Sequence, residues 1–81
     1  MKVTLLGYRE TNFTDEKTGE IVRGVTIHYT VPMTGRNCFG DEAERKFIHE
    51  SKKDSLPELI PGAQYDIDYS SKGKIMGIKA L

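Results

Sequence analysis

Residues 20–31 read EIVRGVTIHYTV, and their alternation decides the fold. Ile21, Val25, Ile27, Tyr29 and Val31 share one face at period two, with Thr26, His28 and Thr30 between them. β-Branched and aromatic residues at that spacing make a strand with one buried face. Upstream, KVTLLGYRE (2–10) puts Val3 and Leu5 on one face and Lys2, Thr4, Leu6 and Tyr8 on the other. Between the two runs lies TDEKTG (14–19), a polar stretch whose Gly19 supplies the positive φ such turns require. The pair is a β-hairpin with a charged tip, long enough to project beyond the body of the domain.

Downstream, Pro32 ends the strand because it has no N–H for the ladder. PMTGRNCFGD (32–41) is rich in turn formers and reads as a loop. EAERKFIHE (42–50) admits two readings. Asp41 and Glu44 have capping-box spacing, but Ala43, Phe47 and Ile48 are a thin stripe for a helix that must be held by packing. A strand with Arg45, Phe47 and His49 on one face and Lys46 and Ile48 on the other is the reading adopted, a short helix the alternative. Residues 51–60 are a polar connection, and Pro61-Gly62 marks a turn. QYDIDYS (64–70) sets Tyr65, Ile67 and Tyr69 against Asp66 and Asp68; Ser71–Gly73 turns the chain into a last strand, KIMGIKAL. Five short strands separated by turns predict an all-β fold, a small closed or half-closed barrel in one domain over residues 1–81.

Composition narrows the function classes. Ordering 81 residues costs roughly 120 kcal/mol at about 1.5 kcal/mol per residue. With 37% hydrophobic residues, little is left over for a buried cofactor pocket, so a cofactor enzyme is not expected. Twelve basic against twelve acidic residues give no net charge, which excludes a strongly basic domain but not a basic face. The lone Cys38 cannot form an intramolecular disulfide. No apolar run approaches the ~20 residues of a membrane span, and residues 1–10 lack a signal-peptide core. A soluble cytoplasmic protein is the expectation.

The last third resembles a known family. KFIHES, IPGAQYDIDYSS and GKIMGIKAL are similar to the helix-destabilising single-stranded-DNA-binding proteins of phages, gene V protein type, and their small relatives in mobile elements. The matching pieces are Arg45–Glu50, Pro61–Tyr65, Asp66–Ser71 and Lys74–Leu81, and the 2–31 hairpin corresponds to the family's DNA-binding wing. The resemblance implies a five-stranded OB-like barrel that coats single-stranded DNA cooperatively, often as a homodimer, during replication or transfer. Three departures stand out. The loop that helps build the family's dimer is cut to Ser70–Gly73. The wing is less basic, with Lys17 and Arg23 among Asp15, Glu16 and Glu20. The loop after the second strand is longer and carries Arg36 and Phe39.

Single strands are bound by Lys and Arg along the phosphates and by aromatic faces under the bases. Aromatic and basic residues interleave here as Tyr8–Arg9, Phe13–Lys17, Arg23–Tyr29, Arg36–Phe39 and Lys46–Phe47. Lys17, Arg23, Arg36 and Lys46 are the candidate phosphate contacts; Tyr8, Phe13, Tyr29 and Phe39 are the candidate stacking rings. The hairpin and the loop after the second strand would frame one groove. For Tyr29 a core position is an equal reading, Phe47 reads as core, and Tyr65 and Tyr69 read as core or barrel rim. Phe13 and Phe39, in polar segments, fit burial less well. Catalysis has no support: Cys38, His28 and His49 show neither nucleophile–base nor metal-ligand spacing, and no phosphate-cradling glycine motif occurs. The alternative function is a small β-barrel that binds other proteins through its hairpin or a free strand edge.

Overall fold

β1 (Lys2–Thr14) and β2 (Ile21–Pro32) form the long antiparallel hairpin in the computed structural model, which describes residues 1–81 apart from the side chain of Lys53. β3 (Asp41–His49) pairs with β2, β4 (Gln64–Tyr69) with β1, and β5 (Ile75–Ala80) with β4, all antiparallel, in the order β3-β2-β1-β4-β5. Residues 41–49 are a strand, as adopted, and the helical content is a 3₁₀ segment, Glu50–Ser55. β1 spans about 43 Å at ~3.3 Å per residue, and the molecule measures 44 × 27 × 22 Å. Its radius of gyration is 14.0 Å, against roughly 12 Å for a sphere-like chain of this length. The hairpin does project.

Asp15 organises the tip. Its carboxylate accepts the Lys17 N–H (2.8 Å) and its carbonyl accepts the Gly19 N–H (2.8 Å). Gly19 takes φ 73°, which a side chain would strain.

The register of β1 against β2 slips between Leu5 and Gly7, a β-bulge at Leu6. The bulge exchanges the faces of the strand beyond it. Tyr8, paired with the buried Ile27, therefore lies on the same side as Val3 and Leu5 rather than opposite them. On the other edge of β1, Leu5 extends the pairing with β4 into the β3–β4 connection: Leu5 N–H donates to Ala63 O (3.0 Å) and Gly62 N–H to Leu5 O (2.7 Å).

Val3, Leu5, Ile27, Tyr29, Val31, Ile48, Tyr65, Ile67 and Ile78 form the core on one face of the sheet. Leu56, Leu59 and Ala63 cover part of it, held down by Tyr65, whose hydroxyl donates to Glu58 O (2.6 Å) and accepts from Ile60 N–H (2.7 Å). Tyr29 and Tyr69 hydroxyls meet at 2.7 Å. On a flat sheet the register would separate them by six residues, about 20 Å, so the sheet coils strongly. Yet among the described residues no ladder joins β3 to β5. The sheet stays open, and the barrel expected from the sequence is not closed by hydrogen bonds.

Candidate nucleic-acid interface

Alternation sorts the charges of β1–β2–β3 onto two faces. Core-side rows are Leu5–Tyr29–Glu44, Tyr8–Ile27–Lys46, Glu10–Val25–Ile48 and Asn12–Arg23. Outer rows are Gly7–His28–Arg45, Arg9–Thr26–Phe47, Thr11–Gly24–His49 and Phe13–Val22. The outer face continues through Thr4–Thr30–Ala43 to Pro32–Asp41, so its one carboxylate in these strands is Asp41, at the loop end of β3 away from Phe13. The core side carries Glu10, Glu42 and Glu44 with Arg23 and Lys46. Arg9, Arg45, His28 and His49 are all exposed. A neutral chain thus presents a cationic sheet face.

Two phenylalanines occupy that face. Phe13 and Phe47 are 48% and 38% exposed and meet edge to face, ring centroids 5.5 Å apart at 63°. Phe47 lies across Gly24: a Cβ there would fall 2.6 Å from its Cζ. Beneath the rings, Thr11 donates its hydroxyl to the Arg9 carbonyl (3.2 Å) and shares a 2.9 Å hydrogen bond with the Thr26 hydroxyl. His49 Nδ1 accepts the Ser51 N–H (3.0 Å). This leaves Nε2 as its free donor.

The residues singled out in the sequence are not brought together. Only Phe13 is on the cationic face. Tyr29 is fully buried and cannot stack on a base: it belongs to the core, where its hydroxyl donates to Glu44 Oε2 (3.1 Å) and accepts from Tyr69. Burial pushes the Tyr29 phenol far above its ordinary value, and the Tyr69 hydrogen bond and the Glu44 charge push the same way. Burial likewise raises Tyr69, and Glu44 adds to this while the Tyr29 hydrogen bond pulls it down. Tyr8, Arg23 and Lys46 stand in core-side rows, facing away from Phe13.

Lys17 is at the hairpin tip, whereas Arg36 and Phe39 are in the β2–β3 loop at the other end of β2. Eleven residue steps, about 36 Å, lie between, so the two loops do not frame one groove. Phe39 is 86% exposed and Phe47 is on the surface rather than in the core. Tyr65 is core and Tyr69 half-buried at its margin.

The cationic face also holds Arg9 and Phe47, which interleave in the sequence but are not among the candidate contacts, and Arg45, His28 and His49, which the sequence does not single out for nucleic acid. The face of Arg45, Phe47 and His49 was readable from β3 as a strand. Arg9 and Phe13 were displaced from it by the unforeseen bulge.

Among the described residues no group of His, Cys, Asp and Glu could hold a metal ion, and no helix is long and apolar enough to cross a membrane. Comparison with family models, with curated proteins and with solved structures gives no match to this chain.

Proposed function

We propose that this chain binds single-stranded DNA without base specificity, on the outer face of β1–β2–β3, in the manner of the phage proteins its sequence resembles. The observation that carries this reading is the exposed Phe13–Phe47 pair on a sheet face bearing Arg9 and Arg45, whose one carboxylate, Asp41, stands at the far end of β3. Aromatic rings accept any base face, and guanidinium groups beside them neutralise the phosphates of the same strand. The Thr11–Thr26 bond fixes the sheet under the rings, so little order need be gained on binding. In OB-folds, the fold the resemblance implies, the face of strands 2 and 3 takes oligonucleotides.

The test is fluorescence anisotropy of labelled oligo-dT, with tyrosine-independent readout. Two or three neutralised phosphates give a log–log salt slope of about −1.4 to −2.1 on single strands. Affinity then falls roughly ten- to forty-fold between about 50 and 300 mM salt. Phe47→Ala removes one stacking platform, worth ~1–3 kcal/mol. Binding that is indifferent to salt, or undiminished in Phe47→Ala, refutes the reading.

A further inference from the structure

The core side of the hairpin carries a second feature, which borders the cationic face at Thr11, Gly24 and His49. Between the hairpin and the β3–β4 connection runs an open groove of about 770 Å³. Tyr8, Val25, Ile48, Leu56 and Leu59 give it an apolar lining, and the three carboxylates Glu10, Glu50 and Glu58 stand around it against the Arg23 guanidinium and the His49 ring. The single ion pair among the described residues joins the Met1 amino group to Asp66. None of the three groove carboxylates is in an ion pair among the described residues. Such a site suits an apolar side chain delivered next to a positive charge.

The same chain displays that combination at its other end. The β2–β3 loop holds Phe39 at 86% exposure, the barest large apolar side chain in the molecule, with Arg36 and the part-exposed Met33 beside it. The loop has a defined shape. Met33 N–H donates to Gly40 O (2.9 Å), and Gly35, Asn37 and Gly40 take left-handed φ values of 116°, 61° and 84°. An aromatic ring held out on an ordered loop is a pre-organised anchor.

We infer that the Arg36–Phe39 loop of one copy of this chain seats in the acidic, apolar groove of another. Charge complementarity selects this occupant: Arg36 meets Glu10, Glu50 and Glu58, while Phe39 meets Tyr8, Val25 and Leu59. The contact cannot form within one molecule, because loop and groove lie beyond opposite halves of β2. One loop in one groove is a small interface, so the association is weak and seen at high protein concentration.

Sedimentation velocity of the full chain without nucleic acid, from about 10 µM to 1 mM, tests this. The wild type gains mass with concentration. Phe39→Ala, which damages only the loop, and Glu10→Arg/Glu58→Arg, which damages only the groove rim, each remain monomeric. All three positions are exposed, so the variants keep the fold. Mixed in equal amounts, the two variants form a one-to-one dimer, since each retains the half the other lacks. A wild type that stays monomeric throughout, a Phe39→Ala variant that associates as the wild type does, or a mixture that does not pair would each overturn the inference. None of these residues is on the cationic face, so oligo-dT binding measured at nanomolar protein reports on the other reading separately.

Discussion

A methyl group at Gly24 would collide with the Ile48 carbonyl oxygen and stand 2.6 Å from Cζ of Phe47. The glycine is thus what lets β3 approach β2 with the Phe47 ring folded over the ladder. Gly24→Ala should lower stability by about 1–3 kcal/mol, the range for overpacking, and thermal melts will measure it. Adding Phe47→Ala should not restore the loss, because the first obstacle is backbone. Tyr29 is constrained by its hydroxyl rather than its ring. Tyr29→Phe keeps the packing and breaks the bonds to Glu44 and Tyr69, costing about 1–2 kcal/mol near neutrality. The same phenol links stability to alkali. Its folded value lies above its unfolded one, so the folded chain keeps a proton the unfolded chain gives up. That stabilisation is whole below about pH 10 and drains away as pH climbs past it, at about 1.4 kcal/mol per pH unit. Denaturant melts of Tyr29→Phe between about pH 10 and 12 should show a pH slope shallower than wild type by that amount. An unchanged slope means the phenol is not protected by the fold.

At the scale of elements, support for the hairpin changes along its length. Thr4 is paired on both sides, by β2 and β4, Leu5 by β2 and the connection, and Gly24–Thr30 lie between β1 and β3. From Asn12–Arg23 outward β1 and β2 have only each other, apart from the Phe13–Phe47 contact. A bare two-stranded ribbon is marginal in water. Amide hydrogen exchange should therefore grade along the hairpin, with Phe13 and Ile21 to Val22 exchanging orders of magnitude faster than Ile27 and Tyr29. Uniform protection would mean that another surface holds the ribbon. The hairpin, its turn, β4 and β5 were legible, because alternation and glycine or proline punctuation are local signals. β3 was open to a helical reading, because capping-box spacing and good helix formers compete there with a thin apolar stripe. The bulge was not legible. Leu6 is as apolar as Leu5, so nothing in KVTLLGYRE says where the period breaks; the break falls next to Leu5, whose backbone bonds Gly62 and Ala63, a contact across more than fifty residues. Barrel closure is equally non-local, and strand patterns alone do not fix how far a five-stranded sheet rolls.

For the whole molecule the decisive quantity is where charge lies, not how much there is. Composition gives a balance of twelve and twelve, and only register reveals that Arg9 and Arg45 share the outer face with the phenylalanine pair while Glu10, Glu42 and Glu44 stand on the core side beside Arg23 and Lys46. The candidate site was half legible for this reason: the residue types were visible, but one bulge turned Tyr8 inward and Arg9 and Phe13 outward. Tyr29 was misplaced by a different cause, since a strand face does not say whether its aromatic residue meets solvent or core. Placement and total charge can be separated with two variants of equal charge. Arg9→Glu/Arg45→Glu and Arg23→Glu/Lys46→Glu each change two cations to anions, taking the formal net charge from 0 to −4. If single strands are held on the outer face, the first variant loses at least tenfold in oligo-dT affinity and most of its salt dependence, because the phosphate contacts themselves are gone. The second carries the same long-range repulsion but keeps the contacts, so at about 150 mM salt, where that field is screened beyond ~8 Å, its affinity stays within a few-fold of wild type. Circular dichroism of both variants shows that the sheet is intact. Equal losses in the two would mean that the overall field, and not the cationic face, governs the encounter with DNA.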